Sequence, residues 1–205
     1  EPTADLSDDE ASMIRSYLGE GGKVMILLGD TNAAELPNLE GILEEYGMQA
    51  EDGYIADPQR CYQGNYYYIF PELSLTGDLA DGISTEMVLL TNTHGMNLID
   101  PERDTISTTG YMSSSDSSFA VTETSQEQGT FTLGAVAEET ISSSTGGDAD
   151  SEDTDSSDDS SDEDAAENVT SRLTVISAGS LIDSQITDAF SQLENTQVFM
   201  NAVTA

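Results

Sequence analysis

Basic residues are nearly missing from this chain. Five Lys and Arg stand against 40 Asp and Glu, a formal net charge of -35 over 205 residues. Nucleic-acid affinity comes largely from Lys and Arg displacing counterions, so the balance argues against a nucleic-acid partner, and anionic lipid headgroups are repelled for the same reason. The charge favours solubility and a weak attraction for cations. Cysteine and histidine occur once each, as Cys61 and His94. A single thiol allows no intrachain disulfide, and one Cys with one His cannot build a zinc site of the four-cysteine or two-cysteine, two-histidine kind. No run of about 18 apolar residues occurs, which excludes a transmembrane helix within these limits. No signal peptide is visible. The chain opens on Glu1-Pro2 and stops at Val203-Thr204-Ala205, inside a helical pattern. The expectation is a soluble portion of a longer protein whose flanks carry membrane segments.

What is present suffices for one core: 37% of residues are hydrophobic, and the length suits a single α/β domain over 1–205. Ser7-Asp8-Asp9-Glu10 is a capping box, followed by an apolar stripe of Met13, Ile14, Tyr17 and Leu18 and a stop at Gly21-Gly22. The continuous apolar run 23–29 (KVMILLG) suits a strand covered on both faces. Pro37 fits a first helical turn, and Leu39, Ile42, Leu43 and Tyr46 carry the helical spacing up to Gly47. Strands are expected at 66–70, 86–91 (EMVLLT), 130–138 and 172–178 (RLTVISA). A helical stripe runs through Ile182, Ile186, Ala189, Phe190 and Leu193, and Val198, Phe199, Ala202 and Val203 begin a last helix. The stretch 111–128 is polar, Ser-rich and without a clear period.

Between 142 and 168 the composition collapses to Ser, Thr, Gly, Ala, Asp and Glu. Such a segment buries too little apolar area to offset an ordering cost of roughly 1–2 kcal/mol per residue, so a disordered acidic insertion is expected there. Helices alternating with apolar strands predict an open, mostly parallel sheet with helices on both faces, the runs 23–29 and 172–178 lying near its centre.

Candidate chemistry is sparse. Gly19-Glu20-Gly21-Gly22-Lys23 has the wrong spacing for a phosphate loop, and its glycines close a helix where a phosphate loop opens one. A thiol hydrolase needs Cys61 as nucleophile and His94 as its base, but no apolar strand directly precedes Cys61. The acidic run 148–167 lacks the turn glycine and closing glutamate of a calcium loop, which leaves weak divalent cation binding. Asn168-Val169-Thr170 is a formal glycosylation sequon. The tyrosines Tyr62, Tyr66, Tyr67 and Tyr68 read either as core or as a contact face. No cofactor motif is present.

Several segments in order carry a resemblance: Tyr17-Leu18-Gly19-Glu20-Gly21-Gly22-Lys23 leading into VMILLG, then Leu36-Pro37-Asn38-Leu39 through Tyr46-Gly47-Met48. Gln128-Gly129-Thr130-Phe131-Thr132-Leu133, Ser171-Arg172-Leu173-Thr174-Val175-Ile176 and Phe199-Met200-Asn201-Ala202-Val203 follow. Together they resemble the extracytoplasmic domain of gliding-motility-type (GldG-like) ABC transporter auxiliary proteins. The family tends to a Gly-Asp-Ser-Asp turn after its last strand; here Ala178-Gly179-Ser180-Leu181 stands instead, so no role of those acids carries over. The resemblance implies a flavodoxin-like or class I amidotransferase-like fold without catalytic residues. It also implies a place on the extracytoplasmic face of the cell membrane, beside the permease and ATPase subunits of an ABC transporter. The expected function is a non-catalytic accessory or binding domain. The alternatives are a divergent hydrolase using Cys61 and His94, and a weakly calcium-responsive surface module.

Overall fold

A computed structural model describes residues 4–30, 32–142 and 168–205. The expected acidic insertion therefore falls, apart from its two boundary residues, outside the described residues. Helix α1 (Asp8–Gly19) starts on the predicted capping box: Ser7 Oγ accepts from the Glu10 amide, and the Glu10 carboxylate accepts from the Ser7 amide at 2.8 Å. Strand β1 (Lys23–Leu27) and helix α2 (Pro37–Glu45) follow as the spacing predicts.

The chain then becomes strand-rich. In order come β2 (Met48–Glu51), β3 (Tyr54–Ala56), β4 (Cys61–Tyr62), β5 (Asn65–Ile69), β6 (Glu72–Leu73) and β7 (Leu90–Thr91). They are followed by β8 (Gly95–Leu98), β9 (Ile106–Ser113), β10 (Phe119–Val121), β11 (Gln126–Gln128), β12 (Thr132–Ser142) and β13 (Asn168–Ile176). The one-turn helix α3 (Ser184–Thr187) and helix α4 (Asn195–Thr204) close the described chain. No helix among the described residues is long and apolar enough to cross a membrane.

The main sheet has seven strands along the path β1-β13-β12-β8-β2, with β9 pairing both β12 and β6. Two three-stranded sheets, β11-β10-β3 and β4-β5-β7, lie beside it. Only β1 and β13 run parallel; every other pairing among the described residues is antiparallel. This overturns the expectation of an open, mostly parallel, flavodoxin-like or class I amidotransferase-like sheet: the fold is a mixed, predominantly antiparallel, strand-rich one. It also moves β1, expected near the centre, to an edge. The physical reason lies in what an apolar run reports. Val24 and Ile26 pack on the α1/α2 side and Met25 and Leu27 on the opposite side, so both faces are covered. Covered faces make a strand apolar whether or not its edge is paired.

Two cores sandwich the sheet. One joins Leu18 of α1 and Leu39, Ile42 and Leu43 of α2 to Ala135, Ala137, Leu173 and Val175. The other joins Val198 and Ala202 of α4 to Ile176, Tyr111, Leu133 and the small sheets' Ile55, Ile69 and Leu90. Each fully buried Leu or Ile contributes about 1.5–3 kcal/mol relative to exposure.

The expected strand 86–91 shrinks to two residues because a side chain takes over its ladder. The Leu89 amide donates to Asn195 Oδ1 and Asn195 Nδ2 donates to the Leu89 carbonyl, both at 2.9 Å. Just before it, the Glu194 carboxylate accepts from the amides of Ser84, Thr85 and Glu86 and from the Ser84 hydroxyl. Desolvation pushes this carboxyl up, but the hydrogen bonds from Ser84 and Thr85 outweigh it and hold the group at about 2. The stripe 182–193 does not form one helix; it breaks into a short 3-10 turn (Gly179–Ile182) and α3.

Candidate functional site: a crevice at the strand ends and an acidic groove

The parallel pair creates a site by its connections. The chain leaving β1 enters α2 on one face of the sheet, whereas the chain leaving β13 reaches α4 on the other. Neighbouring parallel strands whose connections diverge leave a crevice beyond their carboxyl ends, the usual ligand position in open α/β sheets. Here it measures about 450 Å³, between Gly29 and Asp30 after β1 and Gly179, Ser180 and Asp183 after β13. The Ser180 hydroxyl fixes its wall, accepting from the Thr91 amide at 2.8 Å. Asp183 Oδ1 accepts from the Gln185 amide and so caps α3.

Asp30 also lines a second, larger depression of about 840 Å³. Asp30, Glu35, Asp52 and Glu123 supply carboxylates, Tyr54 and Tyr67 supply rings, and no Lys or Arg lines it among the described residues. His94 closes the groove from below. It is buried, its ring stacks on Tyr54 at a centroid distance of 4.4 Å, and Nδ1 lies 2.7 Å from the Gly53 carbonyl oxygen. Nε2 faces the Asp30 carbonyl at 3.4 Å. Asn32 Nδ2 donates to Asp52 Oδ1 at 2.6 Å, tying the two loops of the rim together.

Cys61 lines neither depression. It sits half-buried in β4, with its sulfur 3.7 Å from the Pro58 carbonyl oxygen, and no hydrogen bond joins it to His94. The residues of the supposed dyad thus have separate partners, and both ring nitrogens of His94 face backbone carbonyls. Among the described residues no group of three or more His, Cys, Asp or Glu side chains could hold a metal ion; the acidic run 148–167 lies outside the described residues. Of the tyrosine cluster, Tyr66 and Tyr67 are exposed and Tyr62 and Tyr68 half-buried. Tyr67 lines the groove, while Tyr62 meets Phe70 and Phe190 edge-on.

The groove carboxylates come from three separate connections: Asp30 and Glu35 between β1 and α2, Asp52 between β2 and β3, and Glu123 between β10 and β11. In a chain with 40 acids no local signal sets them apart; only the tyrosine run pointed toward this surface. Chemically, carboxylates beside aromatic rings suit an ammonium or guanidinium group, through charge-assisted hydrogen bonds and cation–π contact.

Gly53 holds the rim in shape. Its φ is +87°, and a Cβ there would run into the Val121 carbonyl. Gly53→Ala should therefore cost at least about 1–2 kcal/mol from the left-handed backbone alone. It should also separate Tyr54 from His94, read as a downfield return of the ring-shifted His94 proton resonances. An unchanged unfolding midpoint would show that the turn relaxes freely.

No protein-family model matches the chain, and no curated protein matches it. Among solved structures, the N-terminal domain of mmIFT52 is similar, with a TM-score of 0.56 at 13% identity, covering 97% of this chain and 70% of that one. At that identity the likeness concerns the fold alone. It spans almost the whole chain, in keeping with one mixed-sheet architecture from α1 to α4.

Proposed function

We propose that this chain is a non-catalytic recognition domain that seats a cationic segment of a partner subunit in the acidic groove. One observation carries the reading: a depression of about 840 Å³ holds four carboxylates and two tyrosine rings, with no Lys or Arg among its described lining residues. Such a surface gains affinity and on-rate from a basic partner and repels acidic ones. The resemblance to GldG-like auxiliary proteins supplies the partner's class, the permease of an ABC transporter with its ATPase, met on the extracytoplasmic face. Held beside a bilayer, such a domain has a high effective concentration for neighbouring subunits and needs little intrinsic affinity. The hydrolase alternative is less well supported, since a backbone carbonyl oxygen faces each ring nitrogen of His94 and Cys61 lies in β4, with no hydrogen bond joining the two.

Co-purification tests this. Expressed with the ABC permease and ATPase encoded beside it, the protein should be recovered in a detergent-stable complex. Neutralising the groove with Asp52→Asn and Glu123→Gln should weaken that complex tenfold or more at 150 mM salt. Recovery insensitive to these changes, or a gene with no transporter alongside, would overturn the proposal.

A further inference from the structure

Among the described residues strand β1 ends the main sheet with an unpaired edge. The Arg172 amide donates to the Gly22 carbonyl and the Leu28 amide to the Ile176 carbonyl. With a two-residue period, Val24 and Ile26 also turn their backbone groups toward β13. Lys23, Met25 and Leu27 therefore turn theirs outward, where no strand pairs with them among the described residues. Exposed apolar side chains frame this edge. Tyr17 packs over Gly22, Val169 touches Gly21, and Val203 lines the same cleft as Met25; these three are 54%, 39% and 51% exposed. A row of unpaired amides and carbonyls between apolar flanks is a template for one more strand.

The charges at this edge specify what that strand carries. Lys23 and Arg172, two of only five basic residues, are register partners across β1 and β13. Both line a cleft of about 120 Å³ with Met25, Thr174 and Val203. Lys23 Nζ donates to the Ala205 carbonyl oxygen at 2.9 Å. Among the described residues Arg172 Nε is buried without a hydrogen-bond partner, and the Glu138 carboxylate stands 3.8 Å away, beyond hydrogen-bonding reach. A buried donor left unmet is costly, and such groups are normally satisfied by protein, water or a ligand. At about 120 Å³ the cleft is roomy enough for a carboxylate.

We infer that the β1 edge takes up an extended segment of a partner protein, with one Asp or Glu carboxylate seated between Lys23 and Arg172. A second copy of this chain does not fit that role. Its own edge strand, KVMIL, carries no carboxylate, and each copy brings a net charge of -35. This surface is separate from the acidic groove, so the inference stands or falls independently of the proposed function.

The probes are two capped nine-residue peptides of alternating valine and threonine, one with a central Glu, the other with Lys at that place. In ¹H–¹⁵N spectra the Glu peptide should shift Lys23, Met25, Leu27 and Arg172, slow exchange of the three outward amides, and bind at least tenfold tighter than the Lys peptide. Arg172→Gln should bring the two peptides to within about twofold of each other. Met25→Pro removes an outward amide that the ladder does not use and should abolish binding; if that variant fails to fold, Lys23→Gln replaces it, with at least a threefold loss for the Glu peptide. Equal affinity for both peptides, shifts confined to the acidic groove, or no binding overturns the inference. So does self-association of the chain through β1 in sedimentation.

Discussion

Arg103→Ala should lower the unfolding free energy by about 2–3 kcal/mol, since it strands a buried carboxylate. For a chain of this size that is a fall of roughly 4–12 °C in the thermal midpoint. The carboxylate belongs to Glu139, 7% exposed in the middle of β12. Arg103 grips both of its oxygens, at 2.7 and 2.9 Å, the Thr105 hydroxyl donates at 2.9 Å, and the Tyr46 hydroxyl lies 3.4 Å away. The guanidinium also sits over the Tyr46 ring, 5.3 Å from its centroid. Because Arg103 is itself 42% exposed, the cost falls below that of a fully buried pair. The apolar double replacement Arg103→Met with Glu139→Leu should recover most of the loss, because removing both charges removes the desolvation penalty as well.

The same cluster sets a pH dependence. The Arg103 hydrogen bonds hold the Glu139 carboxyl below its ordinary value, and they outweigh the opposing effect of burial. A folded value below the unfolded one means stability that is complete above the unfolded value of about 4.3. That stability is lost as pH falls through the lower folded value. Wild type should lose midpoint steeply in that acid window and Glu139→Gln should lose less; parallel curves would show that the cluster is not the titrating unit.

Asp57→Ala should be at least as damaging, about 3–4 kcal/mol, because it leaves three buried or half-buried amides without acceptors. Asp57 is fully buried and makes no salt bridge among the described residues. Its Oδ1 accepts from the Gln59 and Arg60 amides and the Ser115 hydroxyl, and its Oδ2 from the Ser115 amide, all at 2.8 or 2.9 Å. One carboxylate thus pins the turn before β4 to the loop between β9 and β10. Asp57→Asn keeps one acceptor oxygen and should recover about half of the loss in chemical denaturation. If the alanine variant unfolds within 1 kcal/mol of wild type, water replaces the carboxylate at little cost.

Sequence periodicity located α1, β1, α2, most of β12, the core of β13 and α4, since each carries either a helical stripe or a continuous apolar run. Between Met48 and Gln128 it found β5, expected at 66–70, and only the end of the strand expected at 86–91; the other strands there escaped it for a definite reason. β9 reads ISTTGYMS and β11 reads QEQ, every residue of the latter exposed, so neither shows the alternation of a half-buried strand. Pairing direction was equally hidden. β12 and β13 are the arms of one long antiparallel hairpin, joined in register from Gly134–Ile176 to Ser142–Asn168, but the acidic stretch between them separates the arms in sequence and makes them read as unrelated strands. The groove was illegible because its acids look like the other acids of the chain. His94 was noticed for being unique, and its surroundings show a residue bracing two loops through backbone carbonyls.

The placement of β1 also shapes the order in which the molecule is made. Its one partner strand among the described residues lies about 150 residues further along the chain. At synthesis rates of roughly 5–20 residues per second, the KVMIL segment emerges about 7–30 s before anything can pair with it. Contacts between the chain's beginning and its end are the slowest to close, since the intervening loop must lose its freedom first. On that ground α1 and β1 are expected to dock after β12 and β13 have paired, with amide protection appearing in the hairpin before it appears in β1 in pulse-labelling during refolding. Through that interval Lys23, at the head of an otherwise apolar strand, is the charge that discourages nascent chains from pairing with one another.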